Sequence, residues 1–138
     1  MVREIVKDIN ILSKVSTNFD FRTMQQVITD LIDTAKAHEE TCVGLAAVQI
    51  GELVKAFVVK ENNKFVPYIN PQIIQYSPDT YIAEEGCLSL DGTRKVKRHS
   101  WIKIMYTTRQ GKMVAERVDG FRAEVMQHEY DHLSGKLI

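Results

Sequence analysis

Several things are scarce in this chain, and each scarcity narrows what it can be. Only two cysteines occur, Cys42 and Cys87, so a hydrophobic core rather than a disulfide framework must hold the fold. In a reducing compartment such isolated cysteines serve as buried, catalytic or metal-binding residues. Net charge is also missing: 18 Lys and Arg balance 18 Asp and Glu. No global field therefore recruits nucleic acid or a membrane surface, and neither is an expected partner. No apolar run is long enough to span a bilayer, and Met1-Val2-Arg3-Glu4-Ile5 has none of signal-peptide length. The expected location is the cytoplasm. Repeats, linkers and low-complexity segments are absent as well, so the 138 residues read as one domain, 1–138, large enough for a real core.

What is present is ordinary in bulk, 44% apolar and 26% charged, and informative in order. Ile5 to Val15 reads as an arm packed on the domain. Phe21, Met24, Val27, Ile28, Leu31, Ile32 and Ala35 recur at helical spacing, with Thr23 and Gln26 placed for a capping box. The helix should fade around His38-Glu39-Glu40, leaving His38 exposed at its negative end. Leu53 to Lys60 is a nearly continuous apolar run, a buried strand. Glu61-Asn62-Asn63-Lys64 turns into a strand from Phe65 that Pro67 and Pro71 interrupt, and Ser77-Pro78-Asp79 turns again. Asp91-Gly92 punctuates the stretch before extended segments around Val96 and from Trp101 to Thr107. Arg109-Gln110-Gly111-Lys112 makes a hairpin to the strand Met113 to Val118. Helix, many strands, then helix predicts an α+β domain.

The last twenty residues carry the strongest chemical signal. Asp119 can cap a helix on which Phe121, Val125, His128 and His132 form one stripe facing the interior. Two buried imidazoles one turn apart are well placed to share a metal ion. Glu129, a third of a turn away, is poorly placed as a ligand but can hold a metal-bound water and exchange a proton with it. The alternative is a helix with one satisfied core histidine and one on the surface. A catalytic zinc or iron generally has three protein ligands. Downstream, Leu133-Ser134-Gly135-Lys136-Leu137-Ile138 supplies none: a metzincin pattern would place its third histidine where Ile138 stands. The third ligand must come from upstream. His38, His99, Cys42, Cys87 and several acids are candidates, and Cys87 has the best setting, after Glu85 and between Gly86 and Leu88. A buried structural cysteine is the alternative reading of Cys87.

Three segments together resemble the peptide deformylase family: Gly44-Leu45-Ala46-Ala47-Val48-Gln49, Glu85-Gly86-Cys87-Leu88-Ser89, and Gln127-His128-Glu129-Tyr130-Asp131-His132, with Ile69-Asn70-Pro71 between the first two. The resemblance runs from about Ile28 to the C-terminus. It implies mostly antiparallel sheets surrounding a central C-terminal helix that carries the metal-binding motif. It implies Cys87, His128 and His132 as metal ligands. It also implies hydrolysis of the formyl group from the initiator methionine of nascent peptides, with metal-bound water as nucleophile and Glu129 as general base and acid. Leu88, through its backbone N–H, and Gln49, through its side chain, are implied as oxyanion stabilisers; Val43, Gly44, Glu85, Gly86 and Val125 are implied as substrate-binding residues. The implied cofactor is one divalent ion per chain, Fe2+ in vivo, replaceable by Zn2+, Ni2+ or Co2+. The competing functions are a related metallo-amidohydrolase or peptidase, and an inactive peptide-binding module that keeps its metal.

Asp131 is a candidate for fixing a ligand imidazole, and Glu85 with Arg98 for a buried pair beside the metal loop. Arg94, Lys95, Lys97, Arg98, Lys103, Arg109 and Lys112 form a run without acids, read as a solvated strand face or a ribosome-facing patch. The family's pattern is broken in places: Cys42 and Asp91 stand where glycine and proline are usual, and the arm lacks the family's proline and Leu-Arg pair. The C-terminal helix that helps some bacterial members dock on the ribosome is absent, so a ribosomal tether is not implied.

Overall fold

The computed structural model describes residues 1–22 and 25–138. In chain order the elements are α1 (Ile9–Leu12), α2 (Gln25–Ala37), β1 (Gly44–Ala46), a single 3-10 turn (Ala47–Ile50), β2 (Ala56–Glu61), β3 (Lys64–Tyr76), β4 (Thr80–Cys87), β5 (Leu90–His99), β6 (Trp101–Thr107), β7 (Met113–Asp119) and α3 (Gly120–Leu133). Five strands form one antiparallel sheet in the order β1-β2-β3-β6-β7, while β4 and β5 pair only with each other. This is the expected α+β arrangement, with mostly antiparallel sheets around the C-terminal helix.

Strand β2 shows why. Side chains alternate across a strand, so Ala56 and Val58 face one way and Phe57 and Val59 the other. The first pair joins Ile28, Leu31 and Ala35 of α2; the second joins Met126 and Val125 of α3. A strand covered by a helix on each face must be apolar at every position, which accounts for the unbroken run. Helix α3 is buried on most of its circumference: Ala123, Val125, Met126, Gln127, His128, Glu129, His132 and Leu133 are all buried. Its expected stripe holds for Val125, His128 and His132 but not for Phe121, which is 63% exposed. Phe121 sits in the first turn, at the rim of a cavity rather than under a sheet. Asp119 occupies the cap position, yet its side chain makes no capping hydrogen bond.

Other expectations shift in instructive ways. Asn62 and Asn63 both adopt left-handed φ, 50° and 63°, the conformation a two-residue hairpin turn requires. Pro67 does not interrupt β3. Neighbouring β6 runs out at Thr107, opposite Ile69, so Pro67 has only β2 beside it and its missing N–H can face the open side. Pro71 lies in a register shift between Ile69 and Gln72, beside Asn70, whose amide accepts from Phe19 N at 2.7 Å and donates to Phe19 O at 3.2 Å. Asp91-Gly92 lies within β5 rather than ahead of the extended segment. Leu88-Ser89 turns instead, Cys87 pairs with Leu90, and Asp91 and Gly92 form a bulge on β5. His38 is half-buried, its Nδ1 3.0 Å from Thr34 O. The arm packs as expected, through buried Leu12 and a bond from Ser16 N to Leu133 O. The proposed Thr23–Gln26 capping box and Met24 fall on or depend on positions outside the described residues.

Arg122, in the first turn of α3, ties the helix to three strands. It lies 3.1 Å from Glu61 and 2.8 Å from Glu116, and it donates to Tyr68 Oη at 2.6 Å. Burial pushes the Glu116 carboxyl up, but hydrogen bonds from Arg122 and Tyr106 outweigh it and hold the group below the usual range. Replacing Arg122 with Met should destabilise the protein by about 1–2 kcal/mol near neutral pH. A depressed carboxyl contributes stability above its unfolded pKa and loses it as pH falls through the folded value. Urea unfolding should therefore show the gap between wild type and variant narrowing below about pH 4.

Candidate metal centre and its cavity

Cys87 ends β4, at the tight Leu88-Ser89 turn, while His128 and His132 stand one turn apart on α3. Their ligand atoms lie within 4.8 Å of one another. Cys87 Sγ is 3.6 Å from His132 Nε2, close to the edge of a tetrahedron with bonds of about 2.0–2.3 Å. His128 Nδ1 is 2.8 Å from Glu85 Oε1. That hydrogen bond orients the ring and leaves Nε2 as the nitrogen that can serve the cluster.

The electrostatics of the cluster suit a cation. Burial alone would lower the His128 pKa, but its hydrogen bonds with Cys87 and Glu85 outweigh it and push it up to about 10. For His132, burial and the positive charge on His128 push the pKa down to about 3. The negative groups that raise His128 would equally favour a cation at the cluster, and His132 keeps an available lone pair. Sulfur with two imidazoles is a donor set for zinc, ferrous iron or a related divalent ion. Among the described residues the cluster gathers Cys87, His128 and His132; His38 and His99 lie elsewhere, their Nδ1 atoms against Thr34 O and Ser77 O. Cys42 is buried nearby, donates to Gly44 O at 3.3 Å, and burial pushes its thiol up to about 12. It stays protonated and is a poor ligand.

A cavity of about 560 Å³ opens beside the cluster. Gln49, Leu88, Val43, Gly44, Glu85, Gly86, Val125, Glu129, Cys87 and His128 all line it. His132, fully buried, lies behind it. The sequence-predicted residues therefore come together from β1 and the residues on either side of it, β4, the hairpin turn and α3. Glu129 is 3% exposed and its Oε1 has no hydrogen-bond partner; burial pushes its carboxyl up to about 7. Gly44 explains the close approach of β1 to α3. A Cβ there would meet Val125 Cγ1 at 2.7 Å and Glu129 Oε2 at 2.8 Å.

The supporting groups are as definite. Arg98 makes a two-pronged contact with Glu85 at 2.8 and 2.7 Å and a third with Asp131 at 2.6 Å. Burial pushes the Glu85 carboxyl up, but Arg98 and His128 outweigh it and hold it at about 2. The buried Glu85–Arg98 pair is present. Asp131, expected on an imidazole, instead holds Arg98 and lies 3.6 Å from Lys136, because its place on α3 faces the end of β5. Gln49 accepts from Ala46 N at 3.0 Å and turns its Nε2 to Cys87 Sγ at 3.3 Å and Ser89 Oγ at 3.2 Å. Ser89 and Gln127 were not singled out for roles from sequence. A polar residue immediately after the Cys-Leu pair, and an amide immediately before the first histidine, were the available signals.

A profile described as polypeptide deformylase matches residues 2–138, extending the sequence resemblance through the N-terminal arm. The peptide deformylase of Clostridium beijerinckii is 43% identical over 138 residues, covering 100% of both chains. The crystal structure of the Thermotoga maritima peptide deformylase superposes with a TM-score of 0.88 at 36% identity, over 99% of this chain and 94% of that one. A class I type b peptide deformylase from Acinetobacter baumannii, bound to Met-Ala-Ser, gives 0.89 at 29% identity, over 99% and 97%. With a cysteine and two histidines gathered beside a buried glutamate, and with matches along its whole length, the chain belongs to the peptide deformylase family.

Proposed function

We propose that residues 1–138 act as one catalytic domain that removes the formyl group from formyl-methionyl peptides, with formate and a free amine as products. The observation that carries this reading is the convergence of Cys87, His128 and His132 beside a buried, unpartnered carboxylate at the wall of a peptide-sized cavity. Those three residues hold the ion, Fe2+ in the cell, with Zn2+, Ni2+ or Co2+ as substitutes suited to the same donors. When bound, such an ion supplies Lewis acidity, polarising a carbonyl oxygen and acidifying water.

The protein's own groups do the rest. A carboxyl poised near 7 can accept a proton and return it at neutral pH. Glu129 takes the proton of the attacking water and delivers it to the departing amide nitrogen, so that water and formamide become formate and amine. The Leu88 N–H and the Gln49 amide hold the formyl oxygen as it gains negative charge, each contributing roughly 2–4 kcal/mol to barrier lowering. Gln49 is suited to that task because Ala46 N occupies its oxygen and leaves Nε2 facing the Cys87 turn. Glu85 orients His128. The backbones of Val43, Gly44 and Gly86 flank the cavity on the β1 and β4 sides, where an extended peptide can pair with them. Val125 offers the methionine an apolar wall. The A. baumannii relative's capture of Met-Ala-Ser, a peptide that begins with methionine, supports a peptide substrate. Nascent chains are the natural source of formyl-methionine and place the enzyme in the cytoplasm; among the described residues no helix is long and apolar enough to cross a membrane.

Three variants test the roles, with formate release from a formyl-Met tripeptide and metal content as readouts. Glu129→Gln should keep its metal and lose about 10²–10⁴-fold in kcat; undiminished release would move the proton transfer elsewhere. Cys87→Ala should lose its metal on dialysis against a weak chelator that wild type withstands. Gly44→Ala, which crowds the Glu129 carboxylate, should retain metal while kcat/KM falls at least about tenfold. Cleavage of internal peptide bonds by the wild type would make the protein a peptidase instead.

A further inference from the structure

The strands that bring the sulfur are not part of the sheet that supports the imidazoles. Among the described residues β4 and β5 pair only with each other; their far end joins the five-stranded sheet through Ser100 and the bond from Ser77 N to Trp101 O at 2.9 Å, but no strand ladder fixes the hairpin against α3. Side chains must do it. Tyr81 Oη donates to Glu124 at 2.9 Å near the exposed rim, and the charged contacts Glu85–His128 and Arg98–Asp131 cross at 2.8 and 2.6 Å. Gln49 holds the turn of the hairpin at Cys87 Sγ and Ser89 Oγ, and the link at His99 is of another kind. Gln127, 4% exposed, accepts from His99 N at 2.9 Å and donates to His99 O at 2.9 Å, with a further bond from its Nε2 to Ala123 O at 3.1 Å. A single amide paired with both backbone groups of one residue reproduces what a neighbouring antiparallel strand provides.

We propose that Gln127 is a positioning residue for the metal: its side-chain amide serves as a one-residue strand that locks the end of β5 onto α3. This rests on reading Cys87, His128 and His132 as the ligands. Arg98 precedes His99 directly, and its fork holds Glu85, two residues before Cys87. Fixing His99 therefore fixes the hairpin from its far end to its turn. On the other side, Gln127 immediately precedes His128. Successive helical residues point about 100° apart, so the rotation of α3 that seats the amide on β5 is the rotation that aims His128 into the cavity. Sulfur and imidazole are thereby held in one frame although the hairpin and α3 share no ladder.

The test is the rate at which Co2+-loaded protein yields its ion to excess chelator, followed by the thiolate-to-cobalt absorption band. Gln127→Met keeps the side-chain length and removes every hydrogen bond; it should release the ion at least about tenfold faster than wild type. Gln127→Glu keeps the acceptor for His99 N and loses the donor, and should fall between the two. Arg122→Met, which weakens the fold away from the ligands, should release cobalt at the wild-type rate; that separates positioning from general destabilisation. Release from both Gln127 variants at the wild-type rate overturns the proposal, and so does equally accelerated release from Arg122→Met. Should Gln127→Met fail to fold, Gln127→Glu decides by the same comparison. A wild type that binds no cobalt at all removes the ligand reading itself, a result distinct from any ranking of the variants.

Discussion

The arrangement depends on a carboxylate that cannot be left alone. Glu85 is buried on β4 between the Arg98 guanidinium of β5 and the His128 ring of α3. Taking a charged group out of water costs several kcal/mol unless partners replace the lost hydration. The partners here come from two other elements, β5 and α3, so satisfying this one group specifies how the hairpin meets the helix. Asp131 supplies the second negative group that Arg98 needs. The result is a line of alternating charge ending at the imidazole, which sets both the direction of the ring and the nitrogen it offers.

Much of this was legible in the chain, for reasons that differ by residue. The spacing of His128 and His132 depends only on helical geometry, and Leu53 to Lys60 shows its burial because both faces of β2 are covered. The chemistry of Cys87 became legible only beside the histidines, since an isolated cysteine between apolar residues equally suits a core. Phe121 misled because periodicity reports which side of a helix a residue is on and says nothing about where the covering sheet stops. Pro67 misled for a related reason: its tolerance depends on the length of a neighbouring strand nearly forty residues away. Asp91-Gly92 has the composition of a turn, and the register of β4 against β5 converts it into a bulge.

The supporting residues were the least visible. Gln127 and Ser89 act through partners distant in sequence, one of them a backbone, and backbone atoms leave no trace in residue identity. Gly44 was readable only through the family resemblance, as a substrate-binding residue; that Val125 and the Glu129 carboxylate press against it could be known only from the fold. Cys42, by contrast, contributes a buried, protonated thiol that hydrogen-bonds the Gly44 carbonyl, a packing role at the edge of the cavity.

Glu129 differs from Glu85 and Arg98, because one of its oxygens is left without a partner while their polar atoms are engaged. Folding alone would favour a hydrocarbon side chain at that position on the central helix. The native sequence accordingly sits below the maximum robustness its own architecture allows. A variant selected purely for heat resistance would tend to discard this glutamate first, and survival at high temperature would then be a misleading guide to whether the molecule still works.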